Sequence, residues 1–245
     1  MFRIRQITGW IYGWYGWILF AFVILIFGGL AALLRKPLLG RRIVHFGAKL
    51  LFRLAGMPLS AKGLDRLPAQ PHVLLVNHGS FLDGIVLTAL LPPRPGYGFI
   101  VRQEFKRQRV LCPLLRGLGA VALPPVASSK PGKSNIDILG LLMRRRKNLV
   151  IFPEGGFRPE PGLRRFHSGV FIAAASANVP LVIAGMRGAR AALRPRTWLP
   201  RRIGITLEIG PTLTPAGTDR AAIAQLSDEA RKAMLQLTGE GEAST

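Results

Sequence analysis

From Gln6 to Leu34 the chain carries no charged side chain. As a helix this stretch would run roughly 43 Å at 1.5 Å per residue, longer than the ~30 Å hydrocarbon core of a bilayer. Trp10, Tyr12, Trp14, Tyr15 and Trp17 gather at one end, where an interfacial aromatic belt would sit. Arg3 and Arg5 flank one side; Arg35, Lys36, Arg41 and Arg42 flank the other. The run is far longer than the apolar core of a signal peptide, so the pattern predicts a membrane anchor. Whether it spans or dips in and returns is left open. The period then changes. Over Arg42–Met57, Arg42, His45, Lys49 and Arg53 recur at helical spacing, and Ile43, Phe46, Leu50 and Leu54 recur opposite them. A basic amphipathic helix beside an anchor belongs in the membrane interface. The alternative is a surface helix packed on the domain. His45 has no catalytic role in this reading.

After Pro58 short apolar runs alternate with helical stretches. The strands expected are His72–Val76, Phe99–Val101, Ala120–Leu123, Leu149–Phe152, Leu181–Ala184 and Ile203–Ile209. The helices expected are Phe81–Leu91, Val110–Leu118, Ile136–Arg146, Val170–Asn178 and an amphipathic one over Asp219–Leu237. A frayed tail follows Gly239. Strands alternating with helices predict an α/β domain, a central sheet flanked by helices. The division expected is 1–58 for the anchor and interfacial helix and 59–245 for the domain.

Charge sharpens the picture. Lys and Arg number 34 against 12 Asp and Glu, a formal net charge of +22. Such a field draws polyanions: nucleic acid, anionic headgroups, or acidic carriers. The first acidic residue is Asp65, so the most apolar part of the chain is purely basic. That combination points to a membrane surface. Nucleic-acid binding would place stacking aromatics among the basic residues, and here they concentrate in the anchor. The single cysteine, Cys112, excludes an intrachain disulfide and reads as a buried apolar residue. No Cys/His cluster has zinc spacing, and no metal site is expected.

Two segments carry candidate chemistry. The run HVLLV leads into Asn77-His78-Gly79-Ser80-Phe81-Leu82-Asp83. A strand that ends in a turn and opens a helix is where α/β proteins place their sites. With Gly79 folding the chain back, Asp83 reaches one nitrogen of His78 and leaves the other facing a cleft as a base. Ser80-x-x-Asp83 also reads as a capping box, a purely structural use of the aspartate. One Asp serves both. The second segment, Phe152-Pro153-Glu154-Gly155-Gly156-Phe157-Arg158-Pro159, follows the apolar run LVIF. Its glycines let backbone N–H groups approach an anion. Arg158 offers a fork for phosphate. Glu154 either holds a substrate hydroxyl or orients the glycines. Arg164, Arg165 and His167 make the segment basic; a solvated polar turn is the alternative.

Together, Asn77-His78-x4-Asp83 and Phe152-Pro153-Glu154-Gly155 resemble the glycerolipid acyltransferases, specifically the 1-acylglycerol-3-phosphate acyltransferases. Phe166-His167-Ser168-Gly169 and Val179-Pro180-Leu181-Val182 extend the resemblance, which covers roughly Gly63 to Gly210. It implies His78 as general base on the acceptor hydroxyl and Asp83 as its partner. Glu154, Gly155 and Arg158 then belong to the acceptor-phosphate region, with Asn77, Ser80 and Gly156 beside them. Acyl-CoA or acyl carrier protein is the implied donor, with no further cofactor. Attack is direct, in keeping with the lack of a Gly-x-Ser-x-Gly elbow. The implied place is the cytoplasmic face of the inner membrane, among membrane lipid, in phospholipid biosynthesis. Two departures bear on the acceptor. The stretch 119–126, GAVALPPV, lacks the Arg the family carries there. Gly156 and Phe157 replace the family's Thr-Arg, displacing Arg158 by one. Lys130 or Lys133 would stand in, or the acceptor is another lysolipid such as a lyso-ornithine lipid. A non-catalytic basic membrane scaffold is the remaining alternative.

Overall fold

The computed structural model describes residues 2–34, 36–102, 120–123, 135–145, 147–156, 160–194 and 197–243. The expected helix Val110–Leu118, and Lys130, Lys133, Arg158 and Cys112, lie outside them.

Helix α1 (Phe2–Val23) continues through a π-helical turn at Ile24–Gly28 into α2 (Gly29–Leu34). Ile7–Leu34 is long and apolar enough to cross a membrane by length and composition. Helix α3 (Pro37–Leu54) starts on a proline, which fits a first turn because its missing N–H is unpaired there anyway. It runs back alongside the first. The Tyr12 hydroxyl donates to Ala55 O at 2.8 Å, and that of Tyr15 to Leu54 O at 3.0 Å. Gly47 lets the ring of Phe27 approach: a Cβ there would lie 2.7 Å from Phe27 Cγ.

The sheet holds β1 (Leu59–Lys62), β2 (Val73–Val76), β3 (Gly98–Arg102), β4 (Val121–Leu123), β5 (Leu149–Ile151), β6 (Leu181–Arg187) and β7 (Ile205–Leu213). Their spatial order is β1-β7-β6-β2-β5-β3-β4. Neighbours from β6 across to β4 pair in parallel, whereas β7 is antiparallel to β6 and parallel to β1. Helices α4 (Asp83–Leu90), α5 (Asn135–Arg144), α6 (Gly169–Ala177), α7 (Ala189–Ala192) and α8 (Arg220–Thr238) complete the described elements. α8 is capped by Asp219, whose carboxylate accepts the N–H groups of Ala221 and Ala222 at 2.9 and 3.0 Å.

The central strands are apolar runs because both faces are covered, as parallel sheets require. Leu74, Val76, Val150, Val182 and Ala184 pack on one side with Val86 and Leu87 of α4. Val73, Leu75, Leu149, Ile151, Leu181 and Ile183 pack on the other with α5, α6 and α8. Each Val, Leu or Ile side chain among them contributes about 1.5–3 kcal/mol by leaving water. The first core also takes in Leu19 and Val23 of α1 and Ala48, Leu51 and Phe52 of α3, so the N-terminal helices share it.

Three expectations change here. The six expected strands become seven with β1, whose exposure alternates along Leu59–Lys62 and whose sequence is too short and polar to stand out. The apolar residues of α3 divide: Val44, Ala48, Leu51 and Phe52 are buried, while Phe46 and Leu54 are 59% and 49% exposed. The helix therefore packs on the domain and also keeps an apolar side outward, having more apolar residues than one stripe holds. The tail beyond Gly239 is tied down: Leu163 N–H donates to Gly241 O at 2.9 Å and Ala243 N–H to Leu163 O at 3.2 Å.

Candidate active site

β2 and β5 are neighbours, with Leu75 opposite Ile151. That register brings the residues after each strand to one edge, so 77–83 and 152–156 meet at the carboxyl end of the sheet.

Around His78 the backbone turns sharply into α4. Asp83, 1% exposed, directs a single oxygen at the turn. Its Oδ2 accepts from His78 Nδ1 at 2.8 Å, from Gly79 N–H at 2.8 Å and from Ser80 N–H at 3.0 Å. Oδ1 is buried without a hydrogen-bond partner among the described residues. The carboxylate thus closes the turn and orients the imidazole together. The His78 ring also stacks on Phe152, with centroids 4.1 Å apart and planes 17° apart. With Nδ1–H committed to Asp83, Nε2 is the nitrogen that carries the lone pair. Such an imidazole can accept a proton at Nε2, and the carboxylate stabilises the cation that forms.

Glu154 braces the two motifs. Its Oε1 accepts the backbone N–H of His78 at 2.8 Å, and its Oε2 that of Arg164 at 2.9 Å. Burial pushes its pKa up, an effect that these two hydrogen bonds oppose. Gly155 turns with φ +72°, and a Cβ there would lie 2.5 Å from His167 Nε2. His167 N–H in turn donates to Pro153 O at 2.9 Å.

Several expected substrate contacts turn inward instead. Asn77 is 4% exposed. Its amide donates to Met186 O at 3.0 Å and accepts Met186 N–H at 2.7 Å, fastening β2 to β6. Ser80 is 1% exposed; its hydroxyl donates to Leu193 O at 3.2 Å and accepts Leu82 N–H at 3.2 Å. Its acceptor contact lies one residue short of a capping box, because α4 begins only at Asp83. Glu154, 2% exposed, has both oxygens taken by backbone. Buried polar groups need such partners, and here the partners are protein. Gly155 is exposed and Gly156 half-buried. His45 lies on α3, where Nδ1 is 2.9 Å from Thr88 O. Phe152 as the stacking partner and Arg164 as the second donor to Glu154 went unread in the sequence. The signal was the pairing of two adjacent strands, which no single motif reveals.

Fold and site together define an α/β enzyme with an aspartate-held imidazole at the carboxyl edge of its sheet. The chain belongs to the acyltransferase family, whose model matches residues 59–187, more than half of its length. Among characterised proteins it is 31% identical over 150 residues to a chloroplastic 1-acyl-sn-glycerol-3-phosphate acyltransferase of Brassica napus, covering 58% of this chain and 42% of that protein. A chloroplastic enzyme of the same name from Arabidopsis thaliana is 29% identical over 171 residues, 66% of this chain and 46% of that protein. The chain thus spans under half the length of these relatives. The fold matches the crystal structure of the 1-acyl-sn-glycerophosphate acyltransferase PlsC from Thermotoga maritima with a TM-score of 0.74. That match has 16% identity and covers 93% of this chain and 95% of the other.

Proposed function

We propose that this chain moves a fatty acyl group from acyl-CoA or acyl carrier protein to the free hydroxyl of a lysolipid, 1-acylglycerol-3-phosphate in the first instance. The step belongs to phospholipid biosynthesis. The observation that carries the reading is the His78 Nδ1–Asp83 Oδ2 contact of 2.8 Å on a ring stacked against Phe152. Nε2 takes the proton of the acceptor hydroxyl as its oxygen attacks the thioester carbonyl. Collapse of the tetrahedral adduct breaks the C–S bond, and the imidazolium returns the proton to the leaving thiolate. A positioned base of this kind contributes about 10²–10⁴-fold to rate. No cofactor enters the step. The acceptor phosphate falls to Arg158, Lys130 and Lys133, an assignment that rests on the sequence, with Gly156 lending its backbone N–H; the N–H of Gly155 closes the turn on Phe152 O at 3.1 Å. Asn77, Ser80 and Glu154 act behind them as braces.

Residues 1–58 serve as anchor and 59–245 as the transferase domain, at the cytoplasmic face of the inner membrane. Trp10, Trp14, Ile18, Phe22, Leu25 and Leu33, all exposed, supply the lipid-facing side. Because α3 lies along the same helix and carries Arg42, Lys49 and Arg53, docking on one leaflet suits the pair better than crossing.

The test is acyl transfer by the purified chain in detergent, with labelled acyl-CoA or acyl carrier protein and a panel of lysolipids. Turnover on 1-acylglycerol-3-phosphate, lost in His78→Ala, is expected. Turnover only on another lysolipid would keep the chemistry and replace the acceptor. No turnover with any pair would defeat the reading.

A further inference from the structure

An apolar path leads from the N-terminal helix to the edge of the His78 turn, and the reaction as written leaves it without a role. Phe81 and Trp198 stack with centroids 5.2 Å apart and planes 23° apart. Both are large apolar side chains, yet they are 47% and 56% exposed. Phe81 belongs to the turn that carries His78. Trp198 holds φ +51°, a left-handed backbone conformation that bulky residues rarely adopt. Strain of this kind persists where the surroundings over-determine it, and it clusters at ligand sites.

The surroundings here are α1 and the His78 turn. Leu199 and Pro200 sit so close to α1 that a Cβ on Gly13 would lie 2.5 Å from Leu199 Cδ2, and one on Gly16 2.7 Å from Pro200 Cγ. The Trp17 indole N–H donates to Trp198 O. At its other end the same segment is held by the Ser80 hydroxyl on Leu193 O. The stacked pair therefore bridges the helix that exposes Trp10, Trp14 and Ile18 and the turn that positions the imidazole.

We propose that Phe81 and Trp198 form the platform that receives the acyl chain already present on the lysolipid acceptor and holds it while the free hydroxyl reaches His78. This rests on the acyl-transfer reading given above. The acceptor is the occupant because it is the substrate that resides in the leaflet, and the pair is continuous with the leaflet-facing helix. The donor chain arrives from water on a soluble carrier.

The experiment measures KM and kcat for wild type, Trp198→Ala, Trp198→Gly and Phe81→Ala, full-length and in detergent micelles. Lysophosphatidates with a long and with a short, water-soluble chain are compared at fixed donor; donor chain length is then varied at fixed acceptor. Loss of binding shared by ground and transition states raises KM, so KM for the long-chain acceptor is expected to rise about tenfold, with kcat within about twofold. The short-chain acceptor and the donor-length profile stay within about twofold of wild type. Glycine favours the backbone conformation at 198, so Trp198→Gly is expected to melt no lower than Trp198→Ala while losing the same chain recognition. Equal KM changes for long and short acceptors, or a change that follows the donor chain, would overturn the assignment. A wild-type enzyme active on lysolipids whose variants are indifferent to chain length would overturn it alone. A wild type inactive on every lysolipid would overturn it together with the reading it rests on.

Discussion

Glu154 accepts the backbone N–H of His78 at 2.8 Å, so the second motif holds the main chain of the first. The other oxygen does the same for Arg164. Glu154→Gln keeps the shape but turns an amide NH2 towards one of these N–H groups. A buried donor left unpaired costs about 1–3 kcal/mol, so a loss of this order is expected in denaturant unfolding. Activity should fall at least about tenfold as the His78 peptide shifts, a sensitivity expected of misplaced catalytic groups. Because burial raises the folded-state pKa of Glu154, its contribution is fullest at acid pH and is lost as pH rises through that raised value. The glutamine variant should lack this fall.

Asp83→Asn separates orientation from shape. An asparagine cannot offer one anionic oxygen to three donors or fix the imidazole tautomer. A fall in kcat of about 10²–10⁴-fold is expected, with His78→Ala equally inactive and the double variant no worse, because the two act as a unit. The melting temperatures should differ: in Asp83→Asn the Gly79 and Ser80 N–H groups donate to a neutral amide oxygen and lose their charge assistance, whereas His78→Ala leaves both bonds on the carboxylate.

Gly155→Ala meets two obstacles at once. The residue holds φ +72°, and the new methyl would sit 2.5 Å from His167 Nε2. Backbone strain at such a position costs about 1–3 kcal/mol. Gly156 also holds a backbone that L residues rarely adopt, φ +158°, but nothing lies within 4 Å of a carbon added there. Gly156→Ala is therefore expected to carry backbone strain without the His167 clash and Gly155→Ala to carry both, with the larger loss of stability and activity. Parallel thermal melts and turnover assays on the two variants provide the comparison.

His72 sets an acid limit. It is 2% exposed, with Nδ1 2.9 Å from Gln70 O and Nε2 2.8 Å from the Tyr97 hydroxyl. If Nδ1–H donates to the carbonyl, Nε2 accepts the tyrosine proton, and the ring is neutral. Burial lowers its pKa, and it pushes that of Tyr97 up to about 12. The folded state therefore resists protonation more than the unfolded chain. The contribution is present above the ordinary histidine pKa of about 6.5 and is lost as pH falls through the lower folded value. Melting temperatures from about pH 8 to pH 5 should decline in the wild type; His72→Gln should start lower and decline less.

Much of this was legible because local chemistry and global fold agree. The run HVLLV is apolar throughout since β2 is covered on both faces, and the spacing from His78 to Asp83 is one turn of chain. Position 154 was ambiguous for a physical reason. A glutamate after a strand reads the same whether it faces substrate or braces backbone; only the pairing of β2 with β5 decides. Trp198 was illegible because its significance lies in contacts with Phe81 and Trp17, far apart in sequence. The docked segment at Gly241–Ala243 depends likewise on Leu163, and its own small and polar residues give no sign of it.

The triple duty of Asp83 Oδ2 also bears on how such a protein diversifies. One atom closes the turn between β2 and α4 at two backbone N–H groups and orients the His78 imidazole. If the pair acts as proposed, a lineage drifting towards a new substrate cannot retune the imidazole by altering Asp83 without loosening the architecture around it. Heritable change would then be channelled away from His78 and Asp83 and into the surfaces around them, so that a reaction of this kind persists while its substrates diverge.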